Sequence, residues 1–355
     1  MHLSDIASAL SAKVSGDGGL DVSRIVHPAD AEGQGDLAVA LSQEAQACLA
    51  NTSAGAVVIP ATVPPPGNGT AAILYGGNER SAIAILTALF DAGPAHNAGI
   101  HPAAVVAPDA AIGEGVSISP CAVVGPGSTI GAGTTILPQA SVGAGVVVGS
   151  ACVLHPGVRL GDRVRLGDRV IVQSNTVIGS DGFSFIPVSN PDGSSNGIAM
   201  PKRTHSLGTV VIGDDVEIGA GTTIDRATLR ETRVGRGTKV DNQVQIGHNV
   251  EIGENCIICG MTGIAGSVVI GDRVVIAAAA GIGPHLTIGD GATIGAGSGV
   301  GSHVPAGAVF FGAPATRHDR YMDRLMHIGR LRQLYPSVED LKKRVEALEK
   351  PAKGR

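Results

Sequence analysis

His248, Gly266, His285 and His303 are almost evenly spaced, each about three hexapeptides after the one before, and Asp241 precedes the first of them by a little over one hexapeptide. A histidine with an ordinary pKa near about 6.5 can take a proton from an amine or hydroxyl nucleophile at neutral pH. A glycine lets a substrate approach the backbone closely, and its N–H can hold the oxyanion of a tetrahedral intermediate. A carboxylate that fixes the histidine tautomer completes such a set, and Asp241 is the candidate. The plainer role for His248 is a surface or turn-bonding side chain. No metal site is expected: histidines two coils of a solenoid apart lie about 10 Å from each other, too far to share a zinc with ligands at about 2 Å. Cys256 and Cys259 form a single CxxC without a second pair nearby, and five scattered cysteines indicate no disulfide framework.

That spacing matters because the chain repeats. Stepping by six from Ile100 through Val106, Ile112, Ile118 and onward to Ile178 meets a branched aliphatic residue every time. The run resumes at Ile212, Ile218 and Ile224, then after a slip from Val234 through Ile246 and Ile264 to Val300. Gly usually follows the aliphatic position, as in Ile112-Gly113, and a small or branched residue stands four places on, as in Val116, Ala122, Ser128 and Thr134. The aliphatic residue is expected to point inward, the Gly to allow a backbone conformation at a tight corner, and the later residue to fill the interior. Each hexapeptide is then a short strand plus a turn, and the architecture is a mainly β parallel β-helix over 100–316. With aromatics at 2%, no Trp and 52 Gly, a stack of small aliphatics is the core this composition can build.

Two interruptions, Gly179 to Thr209 and Asp225 to Arg233, read as excursions from the solenoid, the first too long and polar for one coil. Residues 1–99 read as a small α/β domain, with Leu3, Ile6, Ala7 and Leu10 at helical spacing, strands at Ala56 to Pro60 and Ala71 to Tyr75, a loop at Val63 to Gly69 and a helix at Arg80 to Phe90. From 317 to 355 the pattern is helical, with a break expected at Pro336-Ser337. The net charge of −5 argues against a nucleic-acid partner, yet residues 317–355 hold 11 Lys+Arg against 6 Asp+Glu, which suits an acidic partner at that end. No apolar run is long enough for a signal or a transmembrane segment, and a cytoplasmic location is expected.

The chain resembles the UDP-3-O-acylglucosamine N-acyltransferases of lipid A biosynthesis. The likeness is strongest in Ile178-Gly-Ser-Asp-Gly-Phe-Ser-Phe185, in Thr222-Thr-Ile-Asp-Arg226 and in Asp241-Asn-Gln-Val-Gln-Ile-Gly-His-Asn-Val250. It implies a left-handed, three-sided solenoid with three hexapeptides per coil and a homotrimer. It also implies transfer of a 3-hydroxyacyl chain from the phosphopantetheine of acyl carrier protein to the 2-amino group of a UDP-linked acylated glucosamine, with no other bound cofactor. On this resemblance His248 is the general base, Asp241 supports it, Gly266 serves the oxyanion and His285 assists. Asp225, Asn242 and Gln245, with Val39 and Ser42 of a uridine-recognising N-terminal domain, are implied to bind substrate. Val39 and Ala45 stand where the family has the Phe and Tyr that grip uracil, Glu44 replaces a Lys, and Pro284 replaces a Gly. Those departures leave two alternatives, a relative acting on another nucleotide amino sugar and a non-catalytic solenoid scaffold.

Overall fold

The computed structural model describes residues 1–67, 69–94, 98–187, 201–312 and 318–349. Two compact units divide the chain, Met1–Ala95 and His96–Arg355. In the first, α1 (Leu3–Ala9) buries Leu3, Ile6 and Ala7, with Leu10 buried just beyond its end, as the helical spacing requires. Strands β1 (Lys13–Ser15), β2 (Arg24–Val26), β3 (Asp36–Val39), β4 (Ala56–Pro60) and β5 (Ala71–Tyr75) form one sheet in the order β1-β5-β4-β3-β2. Only the β1–β5 pair is antiparallel. Two helices follow β3 and β5: α2 (Gln43–Ala47), and α3 (Glu79–Phe90), whose first N–H groups are capped by the Asn78 side chain at 2.9 Å from Arg80 N. Leu37, Val58, Ile73 and Leu86 close the core between sheet and helices.

The second unit is the parallel solenoid. Three sheets of 10, 9 and 11 strands run along it, most strands being only two residues long. The first wall contains Val124, Val142, Gln245–Ile246 and Gly263–Ile264, the second Ile130, Val148 and Glu251–Ile252, and the third Ile136, Leu154 and Lys239–Val240. Positions three hexapeptides apart stack directly, Val124 on Val142 and Ile246 on Ile264. From Ile118 onward the counted aliphatic positions fill the interior, and the residue four places on joins them: Ala122, Ser128 and Thr134 are buried. The polar ones are satisfied, since Ser128 Oγ donates to Gly143 O at 2.8 Å and accepts the Val146 N–H at 3.2 Å.

The glycine after each aliphatic residue has a different cause from the one expected. Positive φ falls two residues later, at Gly115 (+70°) and its equivalents, many of them not glycine, such as Gln139 and Asn249. At Gly113 the constraint is space, because a Cβ there would sit 2.7 Å from the backbone nitrogen of Ala132 in the coil above. The coil turns so sharply that consecutive layers touch backbone to backbone.

Coil length changes in three places. Ile178 pairs with Ile224, far beyond the next regular position, because the first excursion leaves after Asp181 and returns at Thr209. Within it an antiparallel ribbon joins Phe185–Pro187 to Pro201–Arg203, and residues 188–200 lie outside the described residues. Ile224 pairs with Ile246 where a regular coil would have reached Asn242, so the second interruption lengthens its coil by four positions. The last coil is short, with Ile294 pairing Phe310 where a full coil would reach Gly312. Beyond it, α4 (His318–Glu349) is one helix and not the two that Pro336 suggested. Proline removes its own N–H from the ladder and its ring crowds the carbonyl four residues back, but the helix is exposed along its described length, so that carbonyl can tilt outward and bond to water.

Candidate active site

The polypeptide turns the corner between the first and second walls after every first-wall strand. Both excursions leave at this corner, and so does the turn that holds His248, between Gln245–Ile246 and Glu251–Ile252. The imidazole is clasped between two glycines. A Cβ on Gly266, one coil up, would lie 2.7 Å from its Cε1, and a Cβ on Gly182 would lie 2.7 Å from its own Cβ and 2.9 Å from Cδ2. Any other residue at either place would displace the ring. Gly182 is held in turn by Ser206, whose Oγ accepts its N–H at 3.1 Å, so the two ends of the long excursion meet beneath the histidine.

The N–H of Gly266 is one of the turn amides that carry no cap. At several other turns the amide two residues after the aliphatic position is capped by an Asp or Asn one coil up. Ala144 N donates to Asp162 at 2.9 Å, Ser150 N to Asp168 at 2.7 Å, Ala220 N to Asn242 at 2.6 Å, and Glu254 N to Asp272 at 2.8 Å. Above Gly266 the equivalent residue is Pro284, which has no side-chain oxygen to offer. The Gly266 N–H finds no acceptor among the described residues, and it lies beside the imidazole. Pro284, like the glycine it replaces, leaves the donor free.

Below the histidine, Asp225 accepts from Ser180 Oγ at 3.0 Å and from Gln245 Nε2 at 3.2 Å, while Gln245 Oε1 accepts from Thr223 Oγ1. Burial pushes the Asp225 carboxyl above the usual range, and the bonds from Ser180 and Gln245 oppose this. Asp225, Gln245, Gly247, His248 and Gly266 line an open recess of about 620 Å³ with Phe183 and Phe185 at its mouth. The two rings meet edge to face at 5.0 Å, and Phe183 is 86% exposed. Arg203 binds Asp181 at 3.2 Å and lies over Phe185.

Asp241 is not the partner of His248 within the chain. Its offset is one hexapeptide plus one residue, which returns the chain to the previous corner, between the third and first walls. There Oδ1 accepts the Asn242 N–H at 2.7 Å and Oδ2 the Gly260 N–H at 2.9 Å, and Asp241 lines a separate recess with Lys239, Asn242 and Cys259. Asn242 stands at the same corner with its Oδ1 committed to the Ala220 N–H. His285 stacks above Asn249 and Ser267 at a left-handed position, with φ of +57°, its N–H donating to Gly266 O at 3.2 Å. It is exposed and does not line the His248 recess. His303 leaves the column, because the shortened final coil sets it beside Thr287, whose N–H its Nδ1 accepts at 2.9 Å. Val39 and Ser42 belong to the N-terminal unit, where with Leu41, Ala45 and Ile83 they line an apolar recess of about 330 Å³. The Cys256 thiol points into the core and donates to Gly271 O at 3.1 Å, and burial pushes its pKa up.

Gly182 and Ser206 escaped the sequence reading because they lie on the excursion, where the ruler of three hexapeptides per coil does not apply. The motif Gly179-Ser-Asp-Gly182 was their only signal.

Residues 127–162, 145–180, 231–266 and 267–302 match the bacterial transferase hexapeptide family, described as six repeats. A UDP-3-O-acylglucosamine N-acyltransferase of Ruegeria pomeroyi is 48% identical over 353 residues, 97% of each chain. One of the same name from Paracoccus denitrificans is 40% identical over 277 residues, 75% of each chain. Among solved structures, an Arabidopsis UDP-N-acetylglucosamine acyltransferase superposes with a TM-score of 0.53 at 28% identity, over 60% of this chain and 71% of that one.

Proposed function

The chain belongs to the UDP-3-O-acylglucosamine N-acyltransferases, and from that premise we propose that it moves a 3-hydroxyacyl chain from the phosphopantetheine thiol of acyl carrier protein to the 2-amino group of UDP-3-O-acylglucosamine. The observation that carries this is the pairing of an imidazole, clasped between Gly182 and Gly266, with the uncapped Gly266 N–H at the same recess. The amine nitrogen attacks the thioester carbon, so that a C–N bond forms and the carbonyl oxygen takes the charge, which the Gly266 N–H receives. His248 accepts the proton that the nitrogen sheds. When the C–S bond breaks, that proton returns to the departing thiolate, and no net proton is left on the enzyme. Asp225 and Gln245 are placed to orient the acceptor sugar, and Phe183 and Phe185 offer apolar surface to the acyl chain.

Asp241 enters this reading through a homotrimer. Each chain exposes two differently equipped corners, and threefold symmetry would set the Asp241 corner of one subunit against the His248 corner of the next. Residues 317–355 carry net positive charge, which favours docking of an acidic carrier protein at that end. No helix among the described residues is long and apolar enough to cross a membrane. The nucleotide and carrier-protein substrates of this reading favour a cytoplasmic enzyme.

One observation favours a second acceptor. The N-terminal recess holds Val39 and Ala45, and no Phe, Tyr or Trp lines it; stacking worth about 1–3 kcal/mol per base is missing there. Another nucleotide amino sugar is the alternative substrate. The test uses purified protein with 3-hydroxyacyl carrier protein and a panel of acceptors. Turnover of UDP-3-O-acylglucosamine is expected, and His248→Ala is expected to lower kcat by about a hundredfold or more. Equal turnover by wild type and variant would sink the mechanism, whereas turnover with a different amino sugar alone would establish the second reading.

A further inference from the structure

The four residues added to the coil beneath His248 have no part in the chemistry described so far. The pairing of Ile224 with Ile246 makes this coil longer than its neighbours, and the surplus sits between Thr223–Arg226 and Glu231–Val234, at the corner directly below His248. The insertion is firmly held: Leu207 N donates to Thr228 O at 2.8 Å, and Gly208 N to Ala227 O at 3.0 Å. Its upper side touches one residue by hydrogen bonding, Asn249. The Thr228 N–H donates to Asn249 Oδ1 at 2.9 Å, and the Asn249 N–H donates to the buried Thr232 Oγ1 at 3.0 Å. Asn249 itself adopts φ of +60°, a conformation that asparagine tolerates better than most residues. Its Nδ2 stands 3.1 Å from His248 Nδ1.

We propose that Asn249, gripped by the Ala227–Arg230 insertion, is the positioning residue of His248, fixing both the plane of the ring and the nitrogen that carries its proton in the substrate-free enzyme. The assignment follows from donors and acceptors. A backbone N–H can only donate, so the end of the amide that faces Thr228 is the oxygen. The end that faces His248 is then the NH₂, which can only donate, and Nδ1 must accept. The neutral imidazole accordingly holds its proton on Nε2 and presents a donor to the recess. To receive a proton at Nε2, the ring must first shift its own to Nδ1, and the Asn249 amide can follow only by turning over and releasing Thr228. The insertion thus opposes the change from donor to acceptor. An aspartate at 249 removes that opposition, because a carboxylate accepts from Thr228 N–H and from Nδ1–H together.

This inference rests on His248 as the proton-handling residue, so its test has a readout independent of turnover. Wild type, Asn249→Asp and Asn249→Ala are prepared with ¹⁵N-imidazole-labelled histidine, and the His248 resonances are assigned by their loss in His248→Ala. Wild-type enzyme above the imidazole titration is expected to show a protonated Nε2 and a bare Nδ1, and Asn249→Asp the reverse. In kinetics, Asn249→Ala is expected to lose about tenfold in kcat with a smaller change in KM. The acid limb of the kcat/KM profile of Asn249→Asp is expected to move to higher pH. A wild-type spectrum with the proton on Nδ1 overturns the proposal, and so does an Asn249→Ala enzyme with wild-type kcat and pH profile. If His248→Ala retains full turnover, the reading of the active site fails while the spectrum still decides the tautomer.

Discussion

At the scale of single residues, the proposed active corner pairs the His248 imidazole with a turn amide that carries no cap. Asp162, Asp168, Asn242 and Asp272 each close an amide in the coil below, and Pro284 leaves Gly266 open. Pro284→Asp would add a cap of the kind seen at those turns and occupy the proposed oxyanion donor. The expected result is a fall in kcat of about a hundredfold or more, the size of effect seen when one such donor is lost, with thermal stability maintained. Pro284→Gly, which adds no acceptor, controls for the change of backbone. Steady-state kinetics beside a melting curve separate the two outcomes. The pairing of His248 with Gly266 was legible in the sequence because both lie on the regular repeat, three hexapeptides apart, and that spacing is one coil. Asp241 lay outside that ruler: its offset from His248 spans a whole wall, so the residue lands at the neighbouring corner. Asn249 stood in the quoted motif, but its role depends on Thr228, which lies on an insertion that no periodicity describes.

At the scale of elements, each deviation from the six-residue period serves the one corner or ends the stack. The long excursion lays Gly182 under the imidazole, the short one reaches Asn249, and the final short coil removes His303 from the column. In the N-terminal unit the strands at Ala56–Pro60 and Ala71–Tyr75 and the helix ending at Phe90 lie where hydrophobic patterning put them. The pin between β2 and β3 was not foreseen. Arg24 Nε meets the buried Asp36 carboxylate at 2.6 Å, and the Glu32 N–H adds a bond at 2.7 Å. The Arg24 guanidinium beside it, with that backbone N–H, holds Asp36 at about 2, well below its ordinary 3.8. A carboxyl whose folded pKa is depressed stabilises the fold above its unfolded pKa and loses that contribution as pH falls toward the folded value. The N-terminal unit should therefore lose stability between about pH 4 and pH 2. Asp36→Asn should be less stable at neutral pH and show a shallower dependence across that window, as read by hydrogen exchange over residues 24–39.

At the scale of the whole molecule, the separation of His248 from Asp241 makes a prediction about assembly. If a site takes His248 from one subunit and Asp241 from its neighbour, His248→Ala and Asp241→Asn proteins, each nearly inactive alone, should complement when unfolded and refolded together. Random mixing in a threefold ring would restore about a quarter of the sites; absence of recovery in verified mixed trimers would confine Asp241 to its bonds with Asn242 and Gly260. The solenoid as an architecture was the most legible level, since each aliphatic position repeats one local rule. The proposed homotrimer would rest on surfaces that carry no repeat of their own. The same rule that packs the interior with Ile, Val, Leu and Ala leaves the solenoid optically silent. The three tyrosines, Tyr75, Tyr321 and Tyr335, all fall outside it, and there is no Trp. Tyrosine emission during a melt would therefore follow the flanking segments alone, and a tryptophan placed at an exposed wall position such as Val147 would give the coils a strong signal of their own.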